Sequence, residues 1–253
     1  MRALTGLLAG LVFSAPGVAQ AQMSGMGGDA ASEAAPYGPP VDDQRVFMHG
    51  VLDQLEGRMG GGEADLRWMG EAWIGTDSNR LWLKTEGQTG AHGRIEDGQQ
   101  ELLYDRPITP WFDLQAGARY DLDSRPGRGW AAVGVQGLAP YGVHLAVTGY
   151  VGERGRTAAR VEVSYDVLVT QRLILAPEIE LNAYGQADPA RRIGDGLSDI
   201  DAGLRLRYEV TRKFAPYVGI SEQASFDQTA RLVRANGEPS QAARLVVGVR
   251  AWF

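Results

Sequence analysis

The sequence predicts an all-β protein, a transmembrane antiparallel β-barrel of about twelve strands with a disordered N-terminal tail. Three observations carry that prediction. Long stretches alternate strictly between apolar and polar residues, which is the period of a strand and not of a helix. Strand-length segments are separated by connections that alternate between short and long, as in outer-membrane barrels. The chain closes on Val246-Val247-Gly248-Val249-Arg250-Ala251-Trp252-Phe253, a short alternating segment ending on an aromatic. Termini usually fray in solvent, whereas a barrel in lipid must pair its last strand with its first to leave no open edge.

The elements follow in order. Arg2 and the apolar, small-residue run Ala3 to Ala15 precede Ala19-Gln20-Ala21, so residues 1–21 are expected to be a signal peptide with an A-x-A cleavage site. Residues 22–44, rich in Gly, Ala, Pro and Asp, lack the apolar surface to fold and are expected to form a disordered periplasmic tail. Residues 45–253 are expected to form the barrel. Strand segments fall near 45–56, 63–75, 79–89, 93–105, 110–122 and 128–138, then near 142–151, 157–168, 171–183, 198–210, 214–225 and 243–253. Each is about the 9–11 residues that a tilted membrane strand needs, or slightly longer. Short connections such as Thr76-Asp77-Ser78 and Ala139-Pro140-Tyr141 alternate with longer ones such as 184–197 and 226–242.

Face patterns assign the two sides. In the fifth segment Phe112, Leu114, Ala116, Ala118, Tyr120 and Leu122 share one face, while Asp113, Gln115, Arg119 and Asp121 take the other. The tenth sets Asp199, Asp201, Arg205, Arg207 and Glu209 against Ile200, Ala202, Leu204, Leu206 and Tyr208. A water-soluble sandwich also alternates, but its outer face would be rich in Lys, and this chain has only Lys84 and Lys213. Its polar rows mix Arg with carboxylates, as a self-neutralising lumen requires, since buried charges must be paired. Trp68, Trp73, Trp82, Trp111, Trp130 and Trp252 are expected near strand ends as interfacial girdles.

Composition narrows the function. The chain has no cysteine, which removes disulfides and thiolate metal sites. The net charge is −6 and the Arg residues are scattered, so no contiguous basic patch suits a nucleic acid. Methionine and histidine without cysteine, in an oxidising compartment, favour copper, because thioether is a soft ligand suited to Cu(I). Met48-His49 and Asp53 lie on the first strand, Met59 just beyond it and Met69 on the second. These five are the candidate copper ligands, with Met23 and Met26 of the tail as weaker ones. Met48 and His49 point to opposite faces unless a bulge intervenes. The alternative for a lone strand histidine is a structural role. A hydrolytic Ser–His pair is the enzymatic alternative, with His144 and Ser164 on neighbouring strands, but no GxSxG elbow and no partner to orient the histidine accompany them. No enzymatic activity is expected.

Several segments carry a resemblance: Arg80-Leu81-Trp82-Leu83-Lys84-Thr85-Glu86-Gly87, Gly137-Leu138-Ala139-Pro140-Tyr141, Thr170-Gln171-Arg172-Leu173-Ile174-Leu175, Leu204-Arg205-Leu206-Arg207-Tyr208-Glu209 and Phe214-Ala215-Pro216-Tyr217-Val218-Gly219. In order, from about Arg45 to Phe253, the chain resembles the copper resistance protein B family of outer-membrane proteins. The resemblance implies an outer-membrane protein that binds or moves copper at the envelope and gives copper tolerance. It implies lipid and copper ions as partners, with a periplasmic multicopper oxidase or copper carrier beside a monomeric barrel. Many members carry a Met/His-rich tail; here Met23-Ser24-Gly25-Met26 is a remnant without histidine. A non-specific porin or structural barrel is the competing expectation, and an outer-membrane lipid hydrolase a third.

Overall fold

A computed structural model describes residues 45–60, 64–90, 95–122 and 127–253. The expected signal peptide, the tail with Met23 and Met26, and His92 lie outside the described residues. The chain forms one antiparallel sheet: β1 (Phe47–Met59), β2 (Asp65–Gly75), β3 (Arg80–Thr89), β4 (Ile95–Pro107), β5 (Phe112–Asp121), β6 (Arg128–Ala139), β7 (Val143–Gly152), β8 (Thr157–Ser164), β9 (Val167–Leu168), β10 (Leu173–Tyr184), β11 (Gly196–Tyr208), β12 (Phe214–Ser225) and β13 (Gln241–Trp252). Each strand pairs with its neighbours, and β13 pairs back onto β1, so the sheet closes. β8 and β9 are two pieces of one wall strand on the same side of β10, which makes the barrel twelve-stranded as expected.

The break between β8 and β9 has a local cause. It falls at Tyr165-Asp166, opposite the segment of β10 that contains Pro177. Proline supplies no N–H to the ladder, and only the Tyr165 N–H to Pro177 carbonyl bond crosses there, at 3.1 Å. A second irregularity matters more for function. Leu52 pairs with Gly70 and Gln54 with Met69, leaving Asp53 as the extra residue of a β-bulge in β1. β1 also runs on to Met59, which belongs to the strand and not to the loop beyond it.

The barrel is inverted relative to a water-soluble core. Its largest fully buried side chains include Arg58, Glu56, Asp105 and Asp121, whereas Leu83, Leu102, Val133, Leu204, Val218, Ile220, Leu245 and Val247 lie exposed on the outside. Such an apolar exterior around a charged interior is stable only where the outer solvent is hydrocarbon. Val246, which broke the alternation of the closing strand, faces inward and is 1% exposed.

The tryptophans depart from the girdle expectation. Trp73, Trp82, Trp130 and Trp252 share the parity of the inward rows, and Trp82 and Trp130 are buried with Leu103, Ala132 and Tyr150 in an apolar cluster within the lumen. Trp111 is 64% exposed beside β5, and Trp68 lies on the outer face between Leu66 and Ala72. Strand parity, not position along the strand, decides which way each indole points.

The connection 226–240, expected as one of the longer ones, contains helix α1 (Asp227–Ala235). Thr229 and Ala230 bury one face of it. The Thr229 hydroxyl accepts from the Gly194 N–H at 2.8 Å and bonds the Ser198 hydroxyl at 3.1 Å. The helix and connection 185–195 thereby make a cap at the end of the barrel away from Phe47 and Trp252.

Candidate functional site

The inward rows cross-link the lumen. Near the middle, Arg67 of β2 reaches Glu180 of β10 at 3.1 Å and Asp201 of β11 at 2.7 Å. Arg160 of β8 reaches Glu86 of β3 at 2.5 Å and Glu180 at 3.5 Å. β3 and β8 are five steps apart in the order β3-β4-β5-β6-β7-β8, almost opposite in a twelve-strand ring. These pairs therefore bar the waist and divide the interior. Beside them, Glu56 accepts from Arg58 at 2.8 Å, Arg205 at 2.9 Å and the Tyr217 hydroxyl at 2.9 Å.

Under the cap lies a polar cavity of about 600 Å³, lined among others by Gln88, Arg119, Asp121, Asn182, Tyr184 and Arg244. Connection 185–195 is tied to its rim. Arg191 donates to Asp121 at 3.0 Å, and Asp188 accepts from Arg156 at 2.8 Å and from Arg128. Burial acts to raise the Asp188 carboxyl, but the two guanidiniums outweigh it and hold it below its ordinary value of 3.8. A depressed carboxylate contributes fully above its unfolded value and loses its contribution as pH falls through the folded one. Protease access to 185–195 is thus expected to be the same at pH 7 and pH 5 and to rise only below about pH 4. Asp188→Asn is expected to give that access at pH 7; an unchanged digestion pattern at pH 7 contradicts the tether.

A second cavity of about 70 Å³ sits at the waist, lined by Asp53, Met69, Glu71, Glu101, Tyr150 and Glu162 among others. That volume admits an ion with water, since one water needs only about 10–15 Å³ of such space. Of the candidates from sequence, the structure brings Asp53 and Met69 together here. The Asp53 bulge does this: it adds one residue to β1, so Asp53 and Gln54 both face inward and the parity on each side is offset. Arg250 pairs with Asp53 across the seam.

His49 lies on the inward side of β1, roughly 13 Å from Asp53 at about 3.3 Å per strand residue. Its ring packs between Trp73 and Trp252, with centroids 6.2 and 5.7 Å away. Met48 and Met59 take the other face, 72% and 50% exposed on the outside. The bulge does not rescue Met48, because it lies beyond both Met48 and His49. His144 shares the parity of Tyr150 and pairs in register with Ser164, but among the described residues no hydrogen bond joins those two side chains.

Three further carboxylates, none among the candidates read from the sequence, meet at the waist. Glu86, Glu162 and Glu180 each present a carboxylate oxygen within 4.8 Å of the others. Alternation supplies the face, but only the long-range register of β3, β8 and β10 supplies the convergence.

Comparisons with known proteins agree with this architecture. The family described as copper resistance protein B precursor matches residues 46–253. Copper resistance protein B of Escherichia coli is 41% identical over 216 residues, covering 85% of this chain and 73% of the relative. A copper resistance protein B homolog of Pseudomonas syringae pv. tomato is 41% identical over 227 residues, covering 88% of this chain and 77% of its own. Among solved structures the NanC porin superposes with a TM-score of 0.54 at 15% identity, over 81% of this chain and 99% of the porin. That last likeness is one of fold alone.

Proposed function

Because the chain belongs to the copper resistance protein B family, we propose that it binds copper inside its barrel and confers copper tolerance at the outer membrane. The observation that carries this reading is one inward face on which His49 stands near the end bearing both chain termini of the barrel and Asp53 and Met69 meet at the waist. An imidazole followed by a carboxylate and a thioether is a donor series that copper accepts in either oxidation state. Met69 is the one candidate thioether of the described residues that faces the lumen, so Met48 and Met59 leave the ligand set. Asp53 serves only when Arg250 yields it. The protein acts without catalysis, as a monomer with its tail in the periplasm, where a multicopper oxidase or copper carrier exchanges copper with it.

A porin reading draws on the polar wall, but the bars from Arg67 to Glu180 and from Arg160 to Glu86 cross the waist where a porin keeps its channel. Deleting the gene is expected to lower copper tolerance. The wild-type chain restores it, whereas His49→Ala and Met69→Leu restore it poorly despite equal amounts in the membrane. Full rescue by both variants, together with conductance indifferent to them, supports the porin reading instead.

A further inference from the structure

We propose that the waist is a divalent-cation site built from Glu86, Glu162, Glu180 and Gln99, in which Arg160 holds the place of the ion. This deepens the copper reading, on which only the choice of copper as the ion rests. The three carboxylates come from β3, β8 and β10 and bring one oxygen each within 4.8 Å of the others. Anionic oxygens gather that closely only around positive charge. Arg160 supplies it, at 2.5 Å from Glu86, 3.5 Å from Glu180 and 3.7 Å from Glu162.

The arginine does not complete the site. Gln99 is 3% exposed and lines the same cavity as Glu86 and Glu162. Its amide nitrogen donates to Glu86, and its Oε1 has no hydrogen-bond partner. Buried acceptors are ordinarily paired. The nearby donors are engaged elsewhere, Lys84 by Gln115 and Gln136 and the Asn182 amide by Glu180 and Asp199, which leaves a cation as the partner for this carbonyl beside the Glu86 carboxylate. The adjoining 70 Å³ of space admits an ion with water.

The donor chemistry selects the class of ion. Three carboxylates and an amide carbonyl are hard oxygen ligands, which suit Cu(II) and Mn(II) and not Cu(I), whose preference is for thioether and thiolate. With copper as the ion, the waist is a site for Cu(II) and not Cu(I), separate from the His49 position. Occupation costs the release of Arg160 from Glu86, so the affinity is held down by a competitor within the wall. A weak central site of that kind lets an ion arrive and leave.

Electron paramagnetic resonance of the purified full-length barrel with Cu(II), and separately with Mn(II), tests the site. Glu162 makes its nearest charged contact at 3.7 Å, so Glu162→Gln is expected to fold and to weaken both ions at least about tenfold. Arg160→Gln is expected to strengthen both. The Cu(II) spectrum of the wild type is expected to show oxygen ligation without nitrogen hyperfine structure at the waist, and to persist in His49→Ala. Equal Mn(II) and Cu(II) affinity in wild type and Glu162→Gln overturns the proposal. So does a single Cu(II) signal with imidazole nitrogen couplings that disappears in His49→Ala, an outcome that leaves the copper reading intact. Mn(II) binding lost in Glu162→Gln, with no copper retained by any variant, upholds the cation site and removes the copper reading.

Discussion

Replacing Glu56 by alanine is expected to destabilise the barrel by about 3–5 kcal/mol, the cost of breaking a buried ion pair by removing one partner. Glu56 and Arg58 have no solvent exposure, and Arg205 and Tyr217 complete the cluster. Truncation strips the Nε donors of Arg58 and Arg205 and the Tyr217 hydroxyl of their common acceptor, leaving Arg58 only Asp201 and Arg205 only Glu178 and Gln54. Glu56→Gln keeps an acceptor and is expected to cost less, although it removes the charge. The control is Glu238→Ala, which breaks an exposed pair with Arg192 and is expected to change stability by less than about 1 kcal/mol. Urea unfolding in lipid vesicles checks this through a shift in midpoint at constant slope. Equal midpoints for Glu56→Ala and wild type contradict the network.

Val247→Arg is expected to cost about 2–4 kcal/mol, the penalty for a cation on the lipid face at the bilayer midplane. Val247 sits centrally in β13, opposite Gly57 on one side and Val218 on the other, and its side chain points outward. Ala243 lies on the same face near the capped end. Ala243→Arg is expected to cost only about 0–1 kcal/mol, because the penalty falls towards the interface. Equal costs at the two depths contradict the assignment of that face to lipid.

Much of this fold is legible in the sequence because a barrel wall has period two and its solvents differ on the two sides. Every expected strand segment overlaps an observed strand, and β12 spans the expected 214–225. What the alternation hides are the places where it slips. Asp53-Gln54 puts two polar residues in succession between Leu52 and Leu55, which breaks the alternation without saying which of them is the extra residue. Pro177 marks the break in the wall only once it is known to lie opposite Tyr165-Asp166. The inward tryptophans stand near strand ends as interfacial aromatics do, and strand parity alone shows that they point into the lumen.

The site is less legible than the fold for a related reason. His49, Asp53 and Met69 are visible as types of ligand, but their separation depends on the offset that Asp53 introduces. Met48 and Met59 look equivalent to Met69 in sequence and lie on the opposite side of the wall. Glu162 and Glu180 pair directly across β8 and β10, but Glu86 is far from both along the chain and meets them only across the closed barrel.

Copper quantified in the purified barrel after exhaustive desalting tests the central claim most directly. The wild-type protein is expected to retain copper, and His49→Ala and Met69→Leu to retain markedly less while folding to the same barrel. No copper in the wild type contradicts a copper-binding lumen, and equal copper in all three contradicts the part given to His49 and Met69.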